Sequence, residues 1–465
     1  MYSKKWFIKG LFGLMALSLM VACRKKDALP PDNYVVFETA AQGITSNETS
    51  IVVKLKLQHA TAVDMAVELN LTPLDLVYGT DYTTEPATTS GKMTVTIPAG
   101  KTETSFKLIK VPGALFDGDE KLVVDITKTP EPILVGLTKQ FTLNFAELVS
   151  MVSTATINGG GATFPNKVFI DLSANRHTGV LRTNWDLGFY SGNDDFKAIL
   201  NSSNTMMAKQ INKTDLAQVG TADTLGFGAD VAFSQFNPLP GQLPYIDYPN
   251  GDLNRTAIAG IAATASDNKV YIINRGVGVT GGSRGWKKVR ITRNASGGYT
   301  LQHADIAATS FTTIDIGKDD TYFFKYVSFE TGVVSVEPAK KKWDIAWTYF
   351  ANITNFGAGE VPYMFQDIIV LNRNVQVAKV LTATKSFADF GEADLAAQTY
   401  LTTQNAIAAD WRSGGGPTSA PAVRTDRYYI IKDGDNNYYK IRFTGLSQNG
   451  ERGYPSYESV LVKKG

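Results

Sequence analysis

Cysteine is almost missing from this chain: Cys23 is the one example in 465 residues, so no disulfide within the chain contributes to its stability. Histidine is nearly as scarce, at His59, His177 and His303. With so few of either, no metal-ligand spacing and no Ser, His and acid constellation stands out. Charge of one sign is lacking too. The 46 basic residues nearly balance the 44 acidic ones, leaving +2, and no basic block is long enough to track a phosphate backbone, which excludes nucleic acid as a partner. Past Cys23 no apolar run is long enough to cross a bilayer. Helical periodicity is nearly absent, the best stretch being Phe387 to Thr399. The Gly-rich loops at Gly278, Gly281-Gly282 and Gly414-Gly415-Gly416 lack the strand-to-helix setting of a phosphate-binding loop. Together these absences point away from an enzyme and toward an all-β binding protein.

The N-terminus reads as a processing signal over residues 1–22. Lys4, Lys5 and Lys9 supply its charge, and Leu11 to Ala22 an apolar core too short to span a membrane. Met20-Val21-Ala22-Cys23 resembles a bacterial lipobox, which makes Cys23 the expected site of lipidation and a membrane the expected partner through a lipid anchor. A polar tether containing Pro30 and Pro31 follows, at 23–33. Because Arg24-Lys25-Lys26-Asp27 is mostly basic, an outer-membrane lipoprotein could face the periplasm or the cell surface.

From residue 34 to about 150, short strand-like runs alternate with Gly, Pro, Asn and Asp turns, the cadence of a β-sandwich: Val35 to Phe37, Ser50 to Leu57, Val63 to Leu69, Met93 to Ile97, Ser105 to Ile109, Leu122 to Ile126 and Phe141 to Phe145. Tyr78-Gly79-Thr80-Asp81-Tyr82-Thr83, Val95-Thr96-Ile97-Pro98-Ala99-Gly100 and Phe116-Asp117-Gly118-Asp119-Glu120 resemble the Calx-β family. In its calcium-binding members acids gather at one end of the sandwich, so Asp81, Asp117, Asp119 and Glu120 are the calcium candidates. Calcium takes 6 to 8 oxygen ligands. No dense acidic cluster supplies them here, so these side chains are expected to serve turns and solubility.

The remainder repeats itself. Asn184-Trp185-Asp186-Leu187 is matched by Lys342-Trp343-Asp344-Ile345, an offset of 158 from residue 184 to 342. Val270 to Gly276 is matched by Tyr428 to Gly434 at the same offset, and Trp286-Lys287-Lys288-Val289-Arg290-Ile291 by Tyr438-Tyr439-Lys440-Ile441-Arg442-Phe443. So long a period indicates two domain-sized copies rather than a solenoid, and the expected modules are 151–318 and 319–465. Alternation puts Tyr439, Ile441 and Phe443 on one face of an antiparallel strand and Lys440 and Arg442 on the other. In Trp343-Asp344-Ile345-Ala346-Trp347 the same period buries Trp343, Ile345 and Trp347 and turns Asp344 toward a polar partner, expected to be Lys440 or Arg442, in a structural rather than catalytic role.

Tyr326 to Gly332, Lys342 to Trp347, Tyr439 to Phe443 and Gly450 to Tyr454 resemble the HmuY family of haem-binding lipoproteins, most clearly in the second copy. The resemblance implies a carrier that takes haem from a host or environmental carrier and passes it to an outer-membrane receptor. The family's paired His or Met iron donors direct attention to Met364, His177, Met206 and Met207, with Tyr349 and Tyr363 beside them. Met206 and Met207, being adjacent, would point to opposite faces of a strand and could not share one iron. His177, in Asn-Arg-His-Thr-Gly, reads as a turn residue, and Met364 as a core side chain. The other reading is a surface protein whose aromatic sheets bind a glycan or a protein without haem.

Overall fold

The computed structural model describes residues 32–44, 48–74, 76–112, 120–145, 152–192, 195–228, 230–233, 238–414 and 420–465. The signal segment and Cys23 lie outside them. Ten strands build the N-terminal sandwich: β1 (Tyr34–Phe37), β2 (Ala41–Gly43), β3 (Ser50–Leu57), β4 (Met65–Leu74), β5 (Tyr82–Glu85), β6 (Lys92–Ile97), β7 (Glu103–Lys110), β8 (Lys121–Lys128), β9 (Leu134–Val135) and β10 (Gln140–Asn144). They pair in the orders β5-β7-β3-β1-β9 and β2-β10-β8-β4-β6. β3 and β6 bury every second residue, as the alternation in the sequence requires, and Val35, Leu55, Val67, Ile97, Phe106, Val124 and Phe141 fill the space between the sheets. Pro98-Ala99-Gly100 is the expected turn: Lys101 N–H donates to the Pro98 carbonyl at 3.0 Å, and Gly100 takes a left-handed φ of 74°.

The rest of the chain is equally β-rich: β11 (Val152–Thr156), β12 (Asn166–Asp171), β13 (Arg176–Leu181), β14 (Leu187–Tyr190), β15 (Ala198–Leu200), β16 (Met207–Gln210), β17 (Tyr271–Asn274), β18 (Trp286–Arg293), β19 (Tyr299–Asp305), β20 (Thr312–Ile316), β21 (Phe324–Ser328), β22 (Gly332–Val334), β23 (Ile345–Asn355), β24 (Glu360–Leu371), β25 (Gln376–Leu381), β26 (Arg427–Lys432), β27 (Tyr438–Gln448) and β28 (Glu451–Lys463). The stretch expected to be helical holds one short 3-10 helix, Glu392–Ala397, and tucks Phe387, Phe390 and Leu395 against Tyr428.

These strands make two sandwiches of one design. In the middle sandwich the sheet β15-β14-β21-β22 packs on β16-β17-β18-β19-β20. In the terminal sandwich β24-β23-β12-β13 packs on β25-β26-β27-β28-β11. Strand for strand the orders match, and β14, β17 and β18 lie where the sequence repeat puts β23, β26 and β27. The boundaries, however, cross the sequence halves. β11 to β13, from the first half, complete the terminal sandwich. β20 closes the middle sandwich as β11 closes the terminal one, and the hairpin β21-β22, from the second half, lies beside β14.

The two four-stranded sheets also pack on each other through Phe169, Trp185, Phe324, Tyr326, Trp343, Phe350, Ile368 and Val370, giving four layers in all. Their strands are therefore buried on both faces, which is why Val168-Phe169-Ile170 in β12 and Ile345-Ala346-Trp347 at the start of β23 are unbroken apolar runs. Trp343 and Ala346 face this central seam, while Ile345 and Trp347 face the terminal sandwich's core.

The Trp-Asp motif holds the exchanged strands. Asp344 N–H donates to the Ile170 carbonyl at 2.7 Å, and its carboxylate accepts from Leu172 N–H at 2.7 Å. Asp186 makes the same two bonds to Val327, at 2.8 Å, and Phe329, at 2.8 Å. Beside them Trp343 stands edge-on to Phe169, and Trp185 edge-on to Tyr326. The partner expected for Asp344 is thus corrected. Lys440 instead caps the carbonyls of Phe387 and Phe390 at 2.6 and 2.9 Å, and Lys288 does the same for Val219 and Ala308. Arg442 pairs with Glu458, and Arg290 donates to the Asn268 and Ala265 carbonyls. These cations lie on the far faces of their strands, where segments cross the sheet with carbonyls unpaired; a backbone amide satisfies Asp344 because the exchanged strand ends beside it.

Candidate functional site

The four candidate iron donors are dispersed. Met206 packs in the middle sandwich's core, while Met207 points the opposite way, toward Val231 and Ile246, as alternation demands. His177 is not in a turn but in β13, opposite Ile170, one strand edge away from the core of the terminal sandwich. The turn closes two residues earlier, where Asn175 takes φ 47°. The His177 ring is buried, its Nε2 lies 2.9 Å from the Tyr457 hydroxyl, and burial pushes its pKa down to about 4. Met364 is buried on β24 opposite Ala351. His177 and Met364 share a sheet, but seven residues and three strand spacings separate them, roughly 25 Å by strand geometry. No two of these residues converge on a common point.

Around Met364 the sequence builds something else. β23 and β24 form a long hairpin with a register shift between Thr348 and Phe350, where β24 carries one extra residue. Asp367 sits at this bulge with φ 51°, fully buried. Its carboxylate accepts from Trp347 Nε1 at 3.2 Å and pairs with Arg452 and Arg412, while its carbonyl accepts from Trp411 Nε1 at 3.0 Å. A left-handed aspartate is tolerated because three donors and the Arg412 charge, 3.8 Å away, fix it there. Beyond the bulge the hairpin becomes an arm carrying a tier of rings: Phe356, 67% exposed, lies 5.4 Å from Tyr363, which lies 5.1 Å from Phe365. Tyr363 and Phe365 are two apart and so share one face. At the arm's tip Glu360 accepts from the Tyr248 hydroxyl at 3.1 Å. Of the two tyrosines named beside the donors, Tyr349 is engaged, stacked 6.2 Å from Phe164 with Arg182 over its ring. Tyr363 is partly exposed.

A second feature lies at the seam between the four-stranded sheets: a cavity of about 70 Å³ walled by Trp185, Trp343, Phe324, Tyr326 and Phe350, with Lys167 and Glu337 in its lining. Burial lowers the Lys167 pKa to about 8, against the pull of Glu337. Burial likewise raises Glu337 to about 7, although its carboxyl accepts from Phe324 N–H at 2.8 Å and the Tyr326 hydroxyl at 3.0 Å. Sequence reasoning missed both features, since the arm turns on a bulge at a left-handed aspartate and the seam arises only once the two halves have been placed together.

Of the calcium candidates, Asp81 accepts from Val77 N–H at 2.7 Å and so closes a turn, and Glu120 is buried at the end of the N-terminal sandwich. Asp117 and Asp119 lie outside the described residues. Among the described residues no helix is long and apolar enough to cross a membrane.

The family model described as HmuY protein matches residues 163–297 and 320–458. Each match opens on a hairpin, β12-β13 or β21-β22, that lies in the sandwich completed by the other match. Among solved structures, the chain is similar to the apo form of the Calx CBD1 domain, at 17% identity over 25% of this chain and 96% of that one, with a TM-score of 0.22. It is similar to apo PinO from Porphyromonas gingivitis, at 10% identity over 68% and 100%, with a TM-score of 0.22. It is also similar to a protein described as HmuY_like heme binding from Bacteroides vulgatus, at 9% identity over 68% and 94%, with a TM-score of 0.19. No curated protein matches the chain.

Proposed function

The chain belongs to the HmuY protein family, and from that premise we propose that it is a non-enzymatic carrier of the cell envelope that holds haem or a porphyrin on the β23-β24 arm. The observation that supports this reading is the tier of Phe356, Tyr363 and Phe365, a ladder of rings that runs from an exposed Phe356 through a partly exposed Tyr363 to a Phe365 packed on the central seam. Flat aromatic ligands stack on such rings. Tyr363 brings a phenolic oxygen, a known axial donor to haem iron, with no acceptor engaged by it among the described residues. Paired His or Met donation is not part of the proposal, because the candidates for it are buried in separate cores. Attachment through an acylated Cys23 to the outer membrane, and transfer to an outer-membrane receptor, complete the reading.

Haemin titration of the purified protein tests it. The expected result is a shifted Soret band that weakens in Phe356→Ala, changes position in Tyr363→Phe and survives Met364→Ala. A spectrum no different from free haemin overturns the haem assignment. The same ladder without an iron donor suits a sugar ring, so retained binding of a glycan panel that Phe356→Ala abolishes would then favour the glycan-binding alternative.

A further inference from the structure

The seam cavity carries a charge that the fold does not require. The two sandwiches correspond with Phe169 matching Tyr326, as the equivalent Trp343 and Trp185 contacts establish. Two positions earlier on each strand, Lys167 matches Phe324, and both line the cavity. One sandwich therefore completes this wall with a phenyl ring and the other with an ammonium group. Lys167 is only 8% exposed, and no oxygen of a described residue accepts a hydrogen bond from it; its ammonium lies 4.9 Å from the centre of the Phe169 ring. Glu337, on the opposite hairpin, is beyond ion-pair distance and spends its oxygens on Phe324 and Tyr326. The other two acids in the lining, Asp247 and Asp252, are likewise engaged by backbone, Asp247 accepting from Leu200 N–H and Ala257 N–H at 2.6 and 2.9 Å and Asp252 from Asn254 N–H at 2.9 Å. Arg373, at the rim, donates to the Gly251 carbonyl. The Lys167 ammonium thus lines the cavity without an acceptor among the described residues, and two more donors of the same wall, Trp185 Nε1 and Trp343 Nε1, are fully buried with none; such groups persist where something supplies the missing oxygen.

We propose that this cavity is a binding site for a small carboxylate, whose anionic end accepts from Lys167 and whose short apolar part lies among Trp185, Trp343 and Phe350. Size limits the ligand: the free space is on the order of five water positions, room for a few carbons beyond the carboxylate and far less than a porphyrin requires. None of the three rings of the tier lines this cavity, so the proposal does not rest on haem binding.

Butyrate is the probe, with butyramide as the uncharged control, titrated into the full chain and followed by tryptophan fluorescence and by thermal melting. The expected result is saturable quenching and a higher Tm with butyrate but not with butyramide, and an affinity weaker by about tenfold or more in Lys167→Met, one charge-assisted hydrogen bond being lost. Because the matching wall position is Phe324, an apolar residue at 167 is expected to leave the fold intact, which melting of the unliganded variant checks. Displacement of butyrate by haemin would assign the carboxylate to a porphyrin side chain reaching into the seam, and failure to displace it would assign the site to a free acid. Equal effects of butyrate and butyramide, equal butyrate binding by wild type and Lys167→Met, or no response to butyrate at all would overturn the proposal.

Discussion

Asp186 and Asp344 hold the same place in the two sandwiches, each accepting from the amide that follows the strand of the other half, yet their surroundings have opposite charge. Asp186 is clasped by Arg275 at 2.9 Å and by Arg284 at 3.0 Å. Asp344 has Asp171 and Asp433 near it, and its pKa is raised well above the ordinary carboxylate range by burial first and those neighbours second. The sequence position that supplies Arg275 to one sandwich supplies Asp433 to the other.

Neutralising the two aspartates should therefore have unequal effects. Asp186→Asn leaves two buried guanidiniums short of their counter-charge and is expected to cost about 3–5 kcal/mol. Asp344→Asn keeps an oxygen for Leu172 N–H and removes a repelled charge, so its cost at neutral pH should be below about 1 kcal/mol. Urea denaturation followed at equilibrium measures both.

Glu337 at the seam and Asp344 set a pH dependence with a definite sign. Glu337 rises from 4.5 to about 7 on folding, so the folded state keeps a proton that the unfolded chain releases. Its contribution to stability is complete below about pH 4.5 and is lost as pH rises to about 7, and Asp344 acts in the same direction from 3.8 upward. Glu337→Gln should flatten the stability profile between those limits. A profile that falls as steeply in the variant as in the parent would refute this.

His177 works the other way. Its pKa falls from 6.5 to about 4 on folding, so its contribution is present above 6.5 and disappears as pH drops toward 4. His177→Gln, which can still reach the Tyr457 hydroxyl, should remove the acid-side loss between those values in thermal melts taken across the range.

The arm depends on its bulge rather than on its tip. Asp367→Ala strips the buried Arg412 and the partly buried Arg452 of their shared carboxylate and is expected to destabilise the terminal sandwich by about 3 kcal/mol. Phe356→Ala, at an exposed tip, should change stability by less than about 0.5 kcal/mol. Calorimetry of the two variants separates the roles.

Much of this architecture is legible in residues. The period-2 alternation of β3, β6 and β27 gives strands and their buried faces, and the Trp-Asp repeat gives two equivalent modules. Adjacent methionines at 206 and 207 declare their opposite directions. What the repeat does not carry is the choice of partner: β12 and β21 are equivalent, so pairing within a half and pairing across halves look alike in one dimension. Alternation alone gives Asp344 a side-chain partner, because a backbone amide leaves no trace in a sequence. His177 reads as a turn because polar Asn-Arg-His-Thr-Gly hides that its ring is inward. The arm's bulge rests on a left-handed aspartate, a conformation that side-chain identity does not announce.

If the halves are interlocked, fragments cut at the copy boundary should fail where one cut by topology succeeds. The segment 183–337, which holds all nine strands of the middle sandwich, is expected to unfold cooperatively on its own with Trp185 buried. The segment 319–465 lacks β11 to β13 and should remain unfolded until 152–181 is added in trans. Cooperative unfolding of 319–465 alone, with Trp343 protected from solvent quenchers, would contradict the exchange of strands between the two halves.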